Sequence, residues 1–437
     1  MPGLGLRRAA PCDPTTAGKR HPIVSHETGR VDLLSLSARD TLSARTAVRV
    51  GVAAFLVLIA AAAVAGAVLA ARTASSTTTP PGPYAGRVGV AVSYDLYASP
   101  ETQIRTALAQ LHAGGVSWIR EDLTWAIAEP EPGVFRWASF DRLMKAASLA
   151  RVHVLGILDY SAPWASSDPS GRRDAFYPPK SNAEFATYAA AVVSRYGHNG
   201  SFWSENSHLR PNPLAAVEIW NEPYESWDWK PGPNPGAYAA LVSQAAPAMH
   251  AVDPQLVVLM SGDLESWDDR LTSHQHSWLA SMLAAEPQLA KLVNAIAVHP
   301  YPAPLSLGPY YEGPDLKVSF GRVPLIRRAE VAAGVHLPIW ITEVGWSTAP
   351  NTPQSVSQRT QAHYSLDAIQ RSLGQWGSYV SKIFLFGWFR SSGRRGDLAG
   401  NYGLLDHNGL PKRAWKAIAH LLGGTPGARD PNVPADT

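Results

Sequence analysis

Apolar residues along most of this chain fall in short, β-branched runs, with helix-spaced patterns between them. From residue 87 onward eight runs read as buried strands: Val88–Ser93, Val116–Arg120, Val152–Asp159, Ala215–Trp220, Leu256–Ser261, Ala295–His299, Ile339–Thr342 and Ile383–Trp388. After the first run, Ser99 is placed to cap a helix and Pro100 to take its first position. Ile104, Ala107, Leu108 and Leu111 form its apolar face, and Gly114-Gly115 stops it. Another helix is expected from Ala183 to Tyr196, with Phe185, Tyr188, Ala189 and Val192 at helical spacing. Strands alternating with helices over about 340 residues predict an α/β fold, a (β/α)8 TIM barrel. An open doubly wound sheet is the competing arrangement. No Gly-rich phosphate fingerprint follows the first strand, which counts against its dinucleotide-binding form.

One run breaks this rhythm. Val50–Ala71 contains only Ala, Val, Leu, Ile, Phe and Gly, and Arg49 and Arg72 bound it. A helix of about 22 residues spans roughly 33 Å, enough for a hydrocarbon core of about 30 Å. Arg7, Arg8, Lys19, Arg20, Arg30, Arg39, Arg45 and Arg49 precede the run, whereas only Arg72 and then Arg87 follow closely. That asymmetry puts the N-terminus inside and the larger part outside. The expected layout is a basic cytoplasmic tail at 1–48, a single transmembrane helix (a signal anchor) at 49–72 and a Thr/Pro-rich linker at 73–86. The barrel follows at 87–424, and a loose C-terminal tail at 425–437. A basic leader of about fifty residues is long for a cleaved signal peptide. The alternatives are a buried soluble helix, or cleavage after Val68-Leu69-Ala70, which would secrete the barrel.

Composition narrows the function classes. With 46% apolar and 17% charged residues, the 437-residue chain has material for a large core. Its net charge is only +3, with basic residues scattered through the globular part, which argues against nucleic acid as a partner. The single cysteine, Cys12, lies on the inner side, so the barrel has no disulfide. No Cys/His zinc spacing occurs. His274-Gln275-His276 has no third ligand in sight and reads as a loop, so neither metal nor other cofactor is expected.

The candidate chemistry rests on two acids. Glu222 closes Ala216-Val217-Glu218-Ile219-Trp220-Asn221-Glu222-Pro223, and Glu343 lies in Pro338-Ile339-Trp340-Ile341-Thr342-Glu343-Val344-Gly345-Trp346. In a barrel, catalytic groups sit at the C-terminal ends of strands. Glu222 ends the fourth strand and Glu343 the seventh. Arg120 ends the second, His299 and Tyr301 the sixth, and Trp388 the eighth. Two carboxyl groups flanking one bond are what glycoside hydrolysis requires; retaining enzymes hold them about 5–5.5 Å apart and inverting ones roughly 6.5–9.5 Å. A nucleophilic carboxylate must be ionised, and Arg120 and Tyr301 can supply the cation and the donor. The partner acid must hold a proton, which burial and a nearby negative charge favour. Two other readings stay open: Arg120 pairing only with Glu218 or Glu121 inside the barrel, and His299 as a satisfied core histidine.

Fifteen tryptophans are many for this length. Trp125, Trp164, Trp220, Tyr224, Trp227, Trp229, Trp346 and Trp388 are candidates to line the bowl, because sugar rings present apolar C–H faces to flat aromatic surfaces. Trp388 is the expected platform under the sugar being cleaved, and Trp227 and Trp229 the expected outer contacts. Trp118 and Trp340 are expected in the core.

Taken together, Trp118-Ile119-Arg120, Trp125, Glu129-Pro130-Glu131-Pro132-Gly133-Val134-Phe135-Arg136-Trp137, Trp220-Asn221-Glu222-Pro223, His299-Pro300-Tyr301 and Thr342-Glu343-Val344-Gly345-Trp346 span most of the barrel. The chain resembles the retaining glycoside hydrolases of clan A, which include family 5 and family 39. Val344-Gly345-Trp346 replaces the Phe-Gly frequent in family 5 and leans toward family 39. The resemblance implies Glu222 as acid/base and Glu343 as nucleophile. It implies Asn221 as a contact to the sugar 2-hydroxyl, Tyr301 as a donor to the nucleophile and Arg120 as the group keeping the nucleophile ionised. The expectation is a membrane-anchored, extracytoplasmic retaining β-glycosidase acting on a poly- or oligosaccharide. Its substrate-binding residues would be Asn221, Arg120, His299, Tyr301, Trp388, Trp164, Trp227 and Trp346. A carbohydrate-binding pseudoenzyme on the same barrel is the alternative.

Overall fold

A computed structural model describes residues 82–92, 96–263, 278–314, 316–389 and 397–430. The apolar run 50–71, the basic tail, most of the linker and His274-Gln275-His276 lie outside the described residues. Among the described residues no helix is long and apolar enough to cross a membrane.

Eight parallel strands close into a barrel in sequential order. They are β1 (Val88–Ala91), β2 (Trp118–Asp122), β3 (His153–Leu158), β4 (Ala216–Ile219), β5 (Val257–Ser261), β6 (Ala295–Val298), β7 (Ile339–Val344) and β8 (Val380–Phe386). A helix follows each strand: α1 (Glu101–Ala113), α2 (Ala138–Ala150), α3 (Asn182–Tyr196), α4 (Pro235–Val252), α5 (Trp278–Ala285), α6 (Val323–Ala332), α7 (Gln358–Gln370) and α8 (Arg413–Leu421). Pairing of β1 with β8 closes the ring and excludes the open doubly wound sheet.

Two helices show how local sequence sets the elements. In α3 the Ser181 side chain accepts from the Glu184 backbone N–H, and Phe185, Tyr188, Ala189 and Val192 are buried, as their spacing predicts. In α1 the expected face is buried too, but the helix begins at Glu101 and no side chain caps it, so Ser99 does not act as expected. Pro100 stands just outside, where its missing N–H costs nothing.

Alternate strand residues point into the barrel. Its lower part is filled by Trp118, Trp340 and Phe384, with Trp118 edge-on to Trp340 at 5.6 Å between centroids. Lys382 lays its ammonium 4.3 Å from the centre of the Trp118 ring. Gly89 on β1 is needed because a Cβ there would lie 2.4 Å from the Phe384 ring. Above this plug the inward positions turn polar, with Arg120 on β2, Glu218 on β4 and Thr342 on β7 all buried. The chain end is partly tied down rather than loose. Thr425 donates from its backbone to Ala113, Trp415 Nε1 donates to the Pro426 carbonyl, and Asp430 is buried. Residues 431–437 lie outside the described residues.

Candidate active site

Arg120 stands at the centre of the barrel mouth. Its Nε donates to Glu218 Oε2 at 2.7 Å and its Nη2 to Asn221 Oδ1 at 2.8 Å, while Nη1 contacts Glu343 Oε1. Arg120 therefore pairs with Glu218 inside the barrel and also faces Glu343, which excludes the reading in which it pairs only inside the barrel. Glu121 points elsewhere, accepting from the Tyr97 backbone N–H.

Glu343 reaches the mouth through an irregularity in its strand. The register between β7 and β8 shifts between Ile341 and Val344. Strict alternation would send Thr342 and Glu343 to opposite faces; the shift lets both act at the mouth. Thr342 Oγ1 lies 3.0 Å from His299 Nε2, and Glu343 Oε2 accepts from the Tyr301 hydroxyl at 3.1 Å. Gly345 then lets β7 leave the sheet: a Cβ there would sit 2.4 Å from the Phe386 carbonyl oxygen.

Glu222 is delivered by a sharp exit from β4. Trp220 and Glu222 hold left-handed backbone, with φ of 62° and 41°. Such residues cost on the order of 1–3 kcal/mol each and persist only where the surroundings fix them. Here the Trp220 ring is fully buried and its Nε1 donates to the Asp228 carbonyl at 2.8 Å. Glu222 Oε1 lies 2.8 Å from His299 Nδ1. A carboxylate oxygen of Glu222, one of Glu343 and a His299 ring nitrogen all lie within 4.8 Å of one another. The two acid side chains keep 18% and 13% of their surface exposed, which leaves the carboxyl groups open to a ligand in the bowl.

His299 and Tyr301 are positioned from behind by a pair that sequence reading missed. Arg322 Nε and Asp263 Oδ1 lie 2.8 Å apart, both buried. Arg322 also donates to the carbonyls of His299 and Tyr301, and Asp263 accepts from the His299 backbone N–H. Neither residue stands in a periodic run, so no pattern marked them. Glu218 and Thr342 did carry a signal: each is a polar residue at an inward strand position.

The electrostatics follow from this packing. Burial works against an ionised Glu218, but the Arg120 charge and the His299 hydrogen bond outweigh it and hold its carboxyl down to about 2. Burial likewise opposes a charged His299, yet the Glu343 charge and the bonds to Glu218 and Glu222 push its imidazole up to about 10. Burial lifts the Glu343 carboxyl above its ordinary value, against the pull of the Arg120 and His299 charges. The Arg120 guanidinium and the Tyr301 hydroxyl both address the anionic form of Glu343. Glu222, His299 and Glu343 also have the donor types and spacing of a metal site. In this structure the imidazole spends both nitrogens on hydrogen bonds, Nδ1 with Glu222 and Nε2 with Thr342.

The aromatic expectations change. Trp125, Trp220, Trp229, Trp346 and Trp388 are at most 2% exposed, and Tyr224 is buried, so none presents a face to the bowl. Trp346 donates to the Leu307 carbonyl, and Trp388 packs edge-on to Trp415 of α8 at 5.0 Å. The reason lies in β8, which ends at Phe386 rather than Trp388. Phe386 follows inward-facing Phe384 by two residues and takes the position at the mouth, 6.3 Å from the Tyr301 ring and 5.5 Å from Tyr402. Trp164 and Trp227 remain available. Trp164 is half-buried, with Nε1 donating to the Glu129 carbonyl, and Trp227 is 37% exposed.

No family model matches the sequence, and no curated protein matches it. Solved structures do match. A family 39 glycoside hydrolase from the gut symbiont Bacteroides cellulosilyticus WH2 aligns with a TM-score of 0.58 at 19% identity, covering 77% of this chain and 63% of that one. At under 20% identity the likeness is one of fold. A GH39 β-xylosidase from Caulobacter crescentus aligns at 0.57 and 18% identity, over 79% of this chain and 73% of that one. A GH39 enzyme from Xanthomonas axonopodis pv. citri aligns at 0.55 and 18% identity, over 83% and 70%. The chain thus spans less than two thirds of the first of these structures, at 63%.

The Arg120 network sets a pH-dependent stability. Removing one member of a buried ion pair costs about 3–5 kcal/mol, because the other charge is left unpaired. Glu218 has a folded pKa depressed to about 2, so its contribution is complete above its unfolded value and fades as pH falls toward the folded one. Arg120→Met removes that contribution. Denaturant titrations should show the wild type more stable by about 3–5 kcal/mol at pH 7, with the gap narrowing below about pH 4. A gap that stays constant with pH would contradict the pairing.

Proposed function

We propose that this chain is a retaining β-glycosidase that cleaves a poly- or oligosaccharide by double displacement on Glu343 and Glu222. The observation carrying the proposal is the approach of the two carboxyl groups to within 4.8 Å. That is the short spacing of retaining enzymes and leaves no room for the water an inverting enzyme places between its acids. In the first step Glu343 attacks the anomeric carbon while Glu222 gives its proton to the glycosidic oxygen. The C–O bond breaks, the leaving sugar departs as an alcohol, and a glycosyl ester forms on Glu343. In the second step Glu222, now a carboxylate, takes a proton from water. The water oxygen attacks the same carbon and frees Glu343. The Arg120 and Tyr301 contacts favour Glu343 as nucleophile, since both bond to its anion. Trp164, Trp227 and Phe386 are the aromatic surfaces for sugar rings. The Caulobacter β-xylosidase makes aryl β-xylosides the first substrates to try.

We further propose that residues 50–71 anchor the protein in a membrane with the barrel on the extracytoplasmic side. The support is the uncharged run and the arginines before it. A pseudoenzyme that binds sugar without turnover is the second reading; the complete set of bonds around both acids disfavours it.

Glu343→Ala should abolish turnover of natural oligosaccharides, and so should Glu222→Ala. On an aryl β-glycoside with an activated phenol the two should separate. Azide should rescue Glu222→Ala and give a β-glycosyl azide, because it needs no general base. It should rescue Glu343→Ala with an α-glycosyl azide, because it then replaces the nucleophile. Exchanged products would swap the roles, and unchanged activity in both variants would refute the site. For the anchor, cell fractionation should place the full-length chain in the membrane fraction, with the barrel reached by protease added outside intact cells. A soluble secreted barrel beginning near Ala71 would contradict it.

A further inference from the structure

Asn221 sits between groups of opposite hydrogen-bonding type. On one side Arg120 Nη2 can only donate, and it reaches Asn221 Oδ1 at 2.8 Å. On the other side Asp228 Oδ2, an acceptor, lies 3.0 Å from Asn221 Nδ2. The Tyr160 hydroxyl completes the arrangement: it donates to Asp228 Oδ1 at 2.9 Å and accepts from Asn221 Nδ2 at 3.2 Å. A flipped amide would oppose donor to donor at Arg120 and acceptor to acceptor at Asp228. Both amide hydrogens are therefore spoken for, whereas the carbonyl oxygen has a second lone pair beyond the one Arg120 uses.

Asp228 itself is rigidly held. It is buried, its carbonyl accepts from Trp220 Nε1, and its backbone N–H donates to the Glu225 carbonyl. Tyr160 is fixed by edge contacts to Phe176 at 4.7 Å and Trp220 at 5.4 Å. A single guanidinium bonds Asn221 Oδ1 and Glu343 Oε1 through its two terminal nitrogens, so these oxygens lie side by side. If Glu343 attacks the anomeric carbon, the hydroxyl facing Asn221 is the one on the adjacent ring carbon.

We propose that Asp228, with Tyr160, is a positioning residue that locks the Asn221 amide with Oδ1 as its open face toward the 2-hydroxyl, the contact that the family resemblance already implies for Asn221. The inference rests on the glycosidase reading. Its test compares kcat/KM for the nitrophenyl β-glycoside that the full-length wild type turns over fastest with that for the 2-deoxy counterpart. Asp228→Ala should lose about tenfold or more on the parent glycoside and less than about twofold on the 2-deoxy one, since the contact it supports is absent there. Asp228→Asn can turn its carbonyl oxygen toward Asn221 Nδ2 and should recover most of the loss. Tyr160→Phe should show a smaller loss with the same substrate dependence. Adding Asp228→Ala to Asn221→Ala should cost nothing further. Equal losses on both glycosides, additivity in the double variant, or no recovery in Asp228→Asn would overturn the positioning role. A wild type inert on every aryl glycoside would overturn the glycosidase reading, and this inference with it.

Discussion

A buried guanidinium organises the mouth of this barrel. Arg120 is 3% exposed, and burying such a charge is costly unless each of its nitrogens is met. Glu218 from β4, Asn221 just beyond β4 and Glu343 from β7 meet them. The bonds run across the ring from β2 to the opposite wall, so they require a closed sheet with all its C-terminal edges at one end. His299, from the end of β6, links Glu218 and Thr342 to Glu222. The nucleophile candidate and the acid candidate are thus tied into one network through Arg120, Glu218, Thr342 and His299. A change at Glu218 would be felt at both.

This network sits on an apolar plug and is braced from outside. Trp118, Trp340 and Phe384 fill the lower barrel, so the polar groups above have a dry floor that strengthens their electrostatics. The Asp263–Arg322 pair grips the backbone at His299 and Tyr301, and the Asp228 shelf grips Asn221. The left-handed backbone at Trp220 and Glu222 is tolerated because the buried Trp220 ring and its bond to Asp228 leave it no other path. Rigidity around the carboxyl groups is what the proposed double displacement needs, because one must attack the anomeric carbon while the other serves the leaving oxygen and then the water.

Much of this was legible in the sequence, for identifiable reasons. Strand alternation and the apolar runs predicted the barrel. The acids at the ends of the fourth and seventh runs, with Arg120, Asn221, His299 and Tyr301, do converge. Strand ends were less legible. The apolar run of β8 continues through Gly387, Trp388 and Phe389, so the pattern alone extends the strand two residues past its end at Phe386 and points to Trp388 instead. Large aromatic residues misled generally, because a flat apolar ring suits a core as well as a sugar face; six of the eight candidates are buried. Asp228, Asp263 and Arg322 were missed because they lie outside the strands, where no period fixes direction.

Double displacement requires that Glu343 becomes covalently glycosylated. A 2-deoxy-2-fluoro β-glycoside with an activated leaving group, built on the sugar that the protein turns over, slows the second step more than the first and traps that ester. The mass of the intact protein should rise by one fluoroglycosyl unit, and peptide mapping should place it on Glu343. Turnover of the parent glycoside with no adduct, or an adduct on another residue, would contradict the account.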